Sequence, residues 1–304
     1  MKAITTNSLR AWLLAARPKT LTGAIIPVLA GSSLAYADGR FDILPALYCA
    51  LFACGMQVAA NFINDLYDHL KGTDRADRLG PERACAQGWI TPAAMKRGIS
   101  GTIVFSCLTG CALLRHCREE GLPYGGWELV ALGLLCVVFA FLYTTLLSYK
   151  GWGDLLVLVF FGFVPVGGTY YVQAFTLTAD VAVLSLVCGV TIDTLLVVNN
   201  YRDRDQDAIS GKRTLVVRFG EPFGRYLYLG LGVAAALLCQ WFVHSGKMTP
   251  LAFIGVSGTY LLLHLLTWRK LSAIRSGKKL NSILGETSRN MLLFGLLLSA
   301  ALIV

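Results

Sequence analysis

Apolar residues in this chain run in blocks of about 20, separated by short polar stretches. They show neither the spaced stripe of a soluble amphipathic helix nor the alternation of a strand. Such blocks predict bilayer-crossing helices at roughly 20–37, 43–66, 95–114, 128–148, 153–175, 180–200, 223–243, 250–268 and 288–304. The third and ninth are the weakest blocks. Lys2, Arg10, Arg17 and Lys19 precede the first block, which ends in Ala35-Tyr36-Ala37, a mimic of a secretory cleavage site. Because many similar blocks follow, it reads as a retained first span. No long polar linker and no internal repeat stands out. The expected fold is therefore all-α: a polytopic membrane helical bundle of about nine transmembrane helices, forming one domain over residues 1–304.

Composition agrees with the pattern. Charged residues make up 15% of the 304 positions against about 25% in soluble domains, and the hydrophobic fraction is 55%. A disordered chain, a collagen and a coiled coil are excluded, and an ordinary soluble enzyme is disfavoured. The net charge of +9 would suggest nucleic acid in a soluble protein. Its distribution says otherwise. Of the 27 Lys and Arg, 23 fall at the N-terminus or in alternate loops, leaving only Arg40, Arg115, Arg118 and Lys247 on the other side. By the positive-inside rule the N-terminus is cytoplasmic, the C-terminus is outside and the number of spans is odd. No nucleic-acid partner is expected; the partner is the lipid bilayer. The nine Cys are scattered, mostly in apolar runs and with no Cys-x-x-Cys, so neither a disulfide framework nor a zinc site is expected.

Two acidic clusters interrupt the apolar pattern at span ends. The first, at the end of span two, contains Asn61, Asn64, Asp65 and Asp68, with Asp74 and Asp77 beyond. The second, at the end of span six, contains Asn199, Asn200, Asp203 and Asp207. At about 100° per residue, the four named positions of each cluster fall within an arc of about 100°. Both clusters lie on the cytoplasmic side by the charge count. Hard oxygen donors in this arrangement suit Mg²⁺, which keeps waters and shares its shell with substrate phosphates. Lys71, Arg75, Arg78 and Arg83 stand near the first cluster, and Arg202, Lys212 and Arg213 near the second. Acids interleaved with cations describe a metal-bound diphosphate site better than solvated helix ends or a cation channel or transporter. Gly211-Lys212-Arg213-Thr214 is not a phosphate-binding P-loop, because Gln206 stands where its first glycine belongs. The four His form no metal-ligand spacing.

The strings around these clusters resemble the UbiA superfamily of intramembrane aromatic prenyltransferases. That family carries Asp-rich motifs on its second and sixth helices. The first is matched by Asn64-Asp65-Leu66-Tyr67-Asp68, with Gly72 where a further Asp is usual and Asp74 two residues later. The second is matched by Asp203 and Asp207. The branch that prenylates 1,4-dihydroxy-2-naphthoate is similar in Ala16-Arg17-Pro18-Lys19-Thr20-Leu21, Gly80-Pro81-Glu82-Arg83, Gly168-Thr169-Tyr170-Tyr171 and Asn199-Asn200-Tyr201-Arg202-Asp203, among other strings between residues 16 and 220.

The resemblance implies a nine-span helical bundle around a cavity open to lipid. It implies Mg²⁺ held by Asp65, Asp68, Asp203 and Asp207, with Asp74 in place of the displaced acid. Asn64, Asn199 and Asn200 would assist, and Lys71, Arg83, Arg202, Lys212 and Arg213 would face the diphosphate. The implied donor is a polyprenyl diphosphate in a bacterial inner membrane. Tyr143, Tyr149, Phe160, Tyr170 and Tyr171 are candidates to shield an allylic cation. Arg17, Lys19 and Lys150 are candidates for the acceptor carboxylate. Asp193, mid-span and within about 20° of the Asn200 direction, is expected to contact the acceptor hydroxyl or to take its proton. The same chemistry would also serve another acceptor such as 4-hydroxybenzoate.

Overall fold

The computed structural model describes residues 4–72 and 78–304. Asp74, Arg75 and Asp77 lie outside the described residues. Within them the chain is helical throughout, with no strand. Nine long helical segments follow one another: α1 (Leu9–Ala37), α2 (Ile43–Leu70), α3 (Pro92–Glu119), α4 (Trp127–Lys150), α5 (Gly153–Ala174), α6 (Ala179–Ile209), α7 (Leu215–His244), α8 (Pro250–Ala273) and α9 (Leu280–Ile303). The first eight are long and apolar enough to cross a membrane. The ninth matches them in length, but Glu286, Arg289 and Asn290 dilute its first half.

Several helices outrun their apolar blocks. The first begins at Leu9, where the Ser8 hydroxyl accepts the Ala11 N–H and caps an eight-residue amphipathic turn. That turn buries Ala11 and Ala15, sets Trp12 edge-on to Phe62 at 5.3 Å, and ends where Arg17 takes a left-handed conformation (φ 51°). α7 starts at Leu215, ahead of its apolar block, and breaks at Gly220 (φ 86°) just before Pro222. α2 and α6 continue to Leu70 and Ile209, so both acidic clusters ride on helix rather than loop.

α6 is the central helix, with 67% of its apolar window buried, whereas α4 has 11%. α5 reaches α6 through small residues: a Cβ on Gly162 would collide with the Ser185 carbonyl and sit 3.1 Å from the Gly189 Cα. Leu34, Val166, Leu184, Val187, Phe242 and Leu298 form the largest buried cluster, joining α1, α5, α6, α7 and α9. Large apolar side chains such as Leu108, Leu134, Leu251 and Leu262 remain exposed, as a lipid-facing surface requires. Two stretches widen into π-helix, Tyr143–Leu147 in α4 and Leu158–Gly167 in α5. The first borders the cavity described next, a common setting for such widening.

Candidate active site in a polar cavity

A cavity, partly open to solvent, lies among the ends of α2, α4 and α6, the start of α5 and the 210–214 loop. Its wall is polar. From α2 come Asn64 and Asp68, one turn apart; from α6 come Asn199, Asn200, Asp203 and Asp207. Tyr143, Thr144 and Ser148 of α4, Asp154 of α5 and Lys212 complete it, with Arg78 and Arg83 at the rim.

Three of the cavity's carboxylates are paired with a cation. Asp68 accepts from Arg83 at 3.1 Å, and both residues are buried. Asp203 receives Nε and Nη2 of Arg202 at 2.7 and 2.6 Å. Asp207 lies 3.5 Å from the Lys212 ammonium. Burial alone would push the Lys212 amine down, but Asp207 and Asp68, with Tyr149 behind them, outweigh it and raise it above its ordinary value. Lys212 therefore stays protonated at neutral pH.

One main-chain contact and one from the Arg218 side chain of α7 fix the loop that carries Lys212. The Arg213 N–H donates to the Tyr149 carbonyl (2.9 Å), and Arg218 donates to the Lys150 carbonyl (2.6 Å). Gly151 permits this approach: it has φ +82°, and a Cβ there would collide with the Arg213 carbonyl.

Several expected site residues do other work. Asp65 does not reach the cavity. Its two oxygens accept the N–H groups of Ala84 (3.0 Å) and Cys85 (2.8 Å), with Arg17 at 3.9 Å. Asn61 likewise turns to Ala16 and Thr20. A 100° arc is wide enough for its two edges to meet different neighbours. Asn64 and Asp68 lie at one edge and face the cavity; Asn61 and Asp65, at the other, tie down the 84–85 turn and the start of α1.

Arg202 is a brace rather than a lining group. Fully buried, it also donates to Asn199 (2.6 Å) and to Asn281 of α9 (2.9 Å), and Asn281 in turn holds the Leu79 carbonyl at 2.8 Å. Lys71 donates to the Thr145 carbonyl at 3.0 Å and sits over the Tyr149 ring, beside the cavity but not in its wall. Arg17, Lys150 and Arg213 are also absent from the wall, and the last two are exposed. Asp193 is buried behind the wall, 2% exposed, with Oδ1 lacking a partner. Of the aromatic candidates, Tyr143 faces the cavity. Tyr170 instead donates to Asp38 (2.6 Å), Tyr171 to Glu128 (3.1 Å), and Phe160 packs on Phe139.

Asp154 was not expected. An Asp at a helix start reads as an end cap, so Gly-Trp-Gly-Asp before an apolar block looks like a loop signal.

A bundle of apolar helices around a cavity of amides, carboxylates and their paired Arg and Lys side chains is the build of a membrane enzyme with a charged substrate. Residues 24–283 match the model of the UbiA prenyltransferase family, and the chain belongs to that family. It is a prenyltransferase of the membrane. A 1,4-dihydroxy-2-naphthoate octaprenyltransferase of Escherichia coli is 39% identical over 243 residues, 78% of each chain. One of Haemophilus influenzae is 33% identical over 308 residues, covering 100% of this chain and 99% of the relative. Among solved structures, a UbiA homolog from Aeropyrum pernix in its apo form superposes with a TM-score of 0.68 at 14% identity, covering 93% and 96% of the two chains. A UbiA homolog from Archaeoglobus fulgidus bound to GPP and Mg²⁺ gives 0.65 at 15% identity, covering 96% and 99%. These two likenesses speak for the fold.

Proposed function

We propose that the enzyme transfers a polyprenyl group from an allylic polyprenyl diphosphate to 1,4-dihydroxy-2-naphthoate, with loss of carbon dioxide and diphosphate, as a step of menaquinone biosynthesis. The observation that carries the acceptor is the 33% identity, over the whole chain, with a relative named for that substrate. The cavity supports the reaction class.

Its residues fit Mg²⁺ in the manner of an ion shared with a substrate. No three His, Cys, Asp or Glu among the described residues close into a cage of their own. Asp68, Asp203 and Asp207 stand singly around one cavity with Asn64 and Asn199 between them, each acid already steadied by a cation. Mg²⁺ usually takes one or two carboxylates and completes its shell with phosphate oxygens and water. Those three acids and two amides would hold it, and the bound metal would offset the charge building on the departing diphosphate.

The chain's own groups do the rest. Lys212, with Arg78 and Arg83 at the rim, places positive charge where diphosphate oxygens would lie. Arg202 holds Asp203 and Asn199 in place, so that neither must reorganise when substrate arrives. Tyr143 lines the cavity, where an aromatic ring would steady an allylic cation. The cavity lies at the end of the bundle that carries most of the Lys and Arg, which supports a cytoplasmic opening in a bacterial inner membrane.

The test is a product assay in membranes containing the enzyme, with 1,4-dihydroxy-2-naphthoate and 4-hydroxybenzoate in parallel. Release of carbon dioxide with prenylation of the naphthoate, and no product from the benzoate, is expected. The reverse result would reassign the acceptor.

A further inference from the structure

Four carboxylates line the cavity, and one of them differs from the rest. Asp68, Asp203 and Asp207 each face Arg or Lys. Asp154, in the first turn of α5, is 9% exposed, and apart from its own peptide N–H neither carboxylate oxygen has a partner. Behind it lies Asp193, close enough for the two charges to repel. The Tyr143 hydroxyl closes the same corner, 3.9 Å from where a Cβ on Gly153 would stand. A buried acceptor with no donor is costly, and a second acid nearby raises the cost. A metal-bound diphosphate gives Asp154 nothing, since that ligand is itself anionic. What suits this corner is a neutral donor, an O–H.

We propose that Asp154 binds the ring hydroxyl beside the attacked carbon of the acceptor, takes its proton during attack and returns it afterwards. The inference rests on the acceptor assigned above. As the O–H bond at C1 breaks toward Asp154, its electron pair moves into the ring, and C2 forms the new carbon–carbon bond. The allylic C–O bond breaks, and the diphosphate leaves with that pair. C1 is then a ketone next to the carbon that bears the carboxylate, an arrangement that sheds carbon dioxide readily. The pair from the breaking C–C bond returns through the ring to the C1 oxygen, which recovers its proton from Asp154. The residue ends as it began, and no outside acid, base or oxidant is needed.

All four acids line one cavity, but they reach it from different helices. Asp154 comes from α5, whereas Asp68 comes from α2 and Asp203 and Asp207 from α6. Asp154→Asn keeps shape and hydrogen bonding and loses only the ability to take a proton. Because the native carboxylate has no ion-pair partner, the amide is tolerated and the fold survives.

The experiment uses purified enzyme in bilayers with Mg²⁺, geranyl diphosphate and 1,4-dihydroxy-2-naphthoate. For Asp154→Asn, turnover is expected to fall between about a hundredfold and ten-thousandfold, the range of a lost general base. Binding of geranyl diphosphate with Mg²⁺ should change less than about threefold, which also reports an intact fold. Ring-substituted naphthoates with a more acidic C1 hydroxyl should lose less in the variant than the parent does, a trend that a purely structural residue would not produce. Wild-type turnover in Asp154→Asn overturns the inference. So does loss of geranyl diphosphate binding in step with activity, or a loss independent of acceptor acidity. If the wild-type enzyme makes no prenylated naphthoate, the acceptor assignment fails, and the inference falls with it.

Discussion

On the α2 and α6 side of the cavity, acid and base alternate within hydrogen-bonding reach: Asp68 with Arg83, Asp203 with Arg202, Asp207 with Lys212. Where α5 begins, Asp154 of α5 and the nearby Asp193 of α6 are buried with unpartnered oxygens, and among the described residues neither has an ion-pair partner. Both sides are buried and both are acidic, yet they are prepared for opposite events. Paired acids are balanced by their cations and are pre-set to receive a metal and an anionic leaving group. Unpaired acids are costly in the resting enzyme and are relieved when a hydroxyl docks. Leaving Asp154 without a paired cation keeps the group that must exchange a proton basic enough to take it.

The sharpest way to break this contrast is to strike the paired side. Asp203→Ala should cut prenyl transfer at least about a thousandfold and abolish Mg²⁺-dependent binding of geranyl diphosphate, as calorimetry would show. Asp154→Asn should cut transfer while leaving that binding intact, as set out above. If both variants lose binding, the two sides are one site.

Arg202→Met should leave Asp203 and Asn199 unbraced in a buried setting, at a cost of about 3 kcal/mol in stability, visible as an earlier melt in detergent. Lys212→Met should raise KM for the prenyl diphosphate about tenfold with little change in kcat. The pH dependence of that contribution has a definite sign. Because the folded amine sits above its unfolded value of 10.5, the Lys212 charge is fully present below that pH and is lost only as pH climbs through the higher folded value. The Lys212 share of affinity should therefore be flat between about pH 6 and pH 9. The smallest effects belong to residues behind the walls. Asp193→Asn should cost less than about tenfold in turnover, since it does not line the cavity. A loss as large as that of Asp154→Asn would show that Asp154 and Asp193 act as one unit.

Asp65 tests how far the sequence could be read. Asp68, Asp203 and Asp207 were legible because helical periodicity places them together at span ends and each then faces the cavity. Asp65 was not, although it sits inside the same motif. Periodicity gives a direction about the helix axis but not the neighbour met in that direction, and for Asp65 the neighbour is the 84–85 turn. Asp65→Asn should accordingly lower stability by about 2 kcal/mol, since an amide offers one acceptor where two N–H groups wait. Activity per folded molecule should stay within about threefold, measured against the ligand-binding fraction.

Asp154 escaped for the opposite reason: a helix-start Asp has an ordinary explanation in capping, and only its burial without a partner removes it. Lys150 and Arg17 looked well placed because they lie near span ends. Nearness along the chain does not decide whether a long side chain turns toward a cavity or away from it. The helical bundle itself was legible almost entirely, because backbone groups in lipid leave the chain few other options. The extra turns of α2, α6 and α7 were not, since they are polar and are held by packing between helices rather than by lipid.

The hold on the 210–214 loop has a consequence for anyone redesigning this enzyme. Arg213 attaches to the α4–α5 turn through its peptide N–H, while its side chain points to solvent. The position of the loop is thus encoded in that peptide link, in the Arg218 side chain on the Lys150 carbonyl, and in one missing Cβ, at Gly151. A library that varies Arg213 freely would scarcely move Lys212, whereas a single methyl group at residue 151, with no charge and no reach of its own, would displace it. Substitution tables that rank Gly to Ala among the mildest changes have the order reversed here.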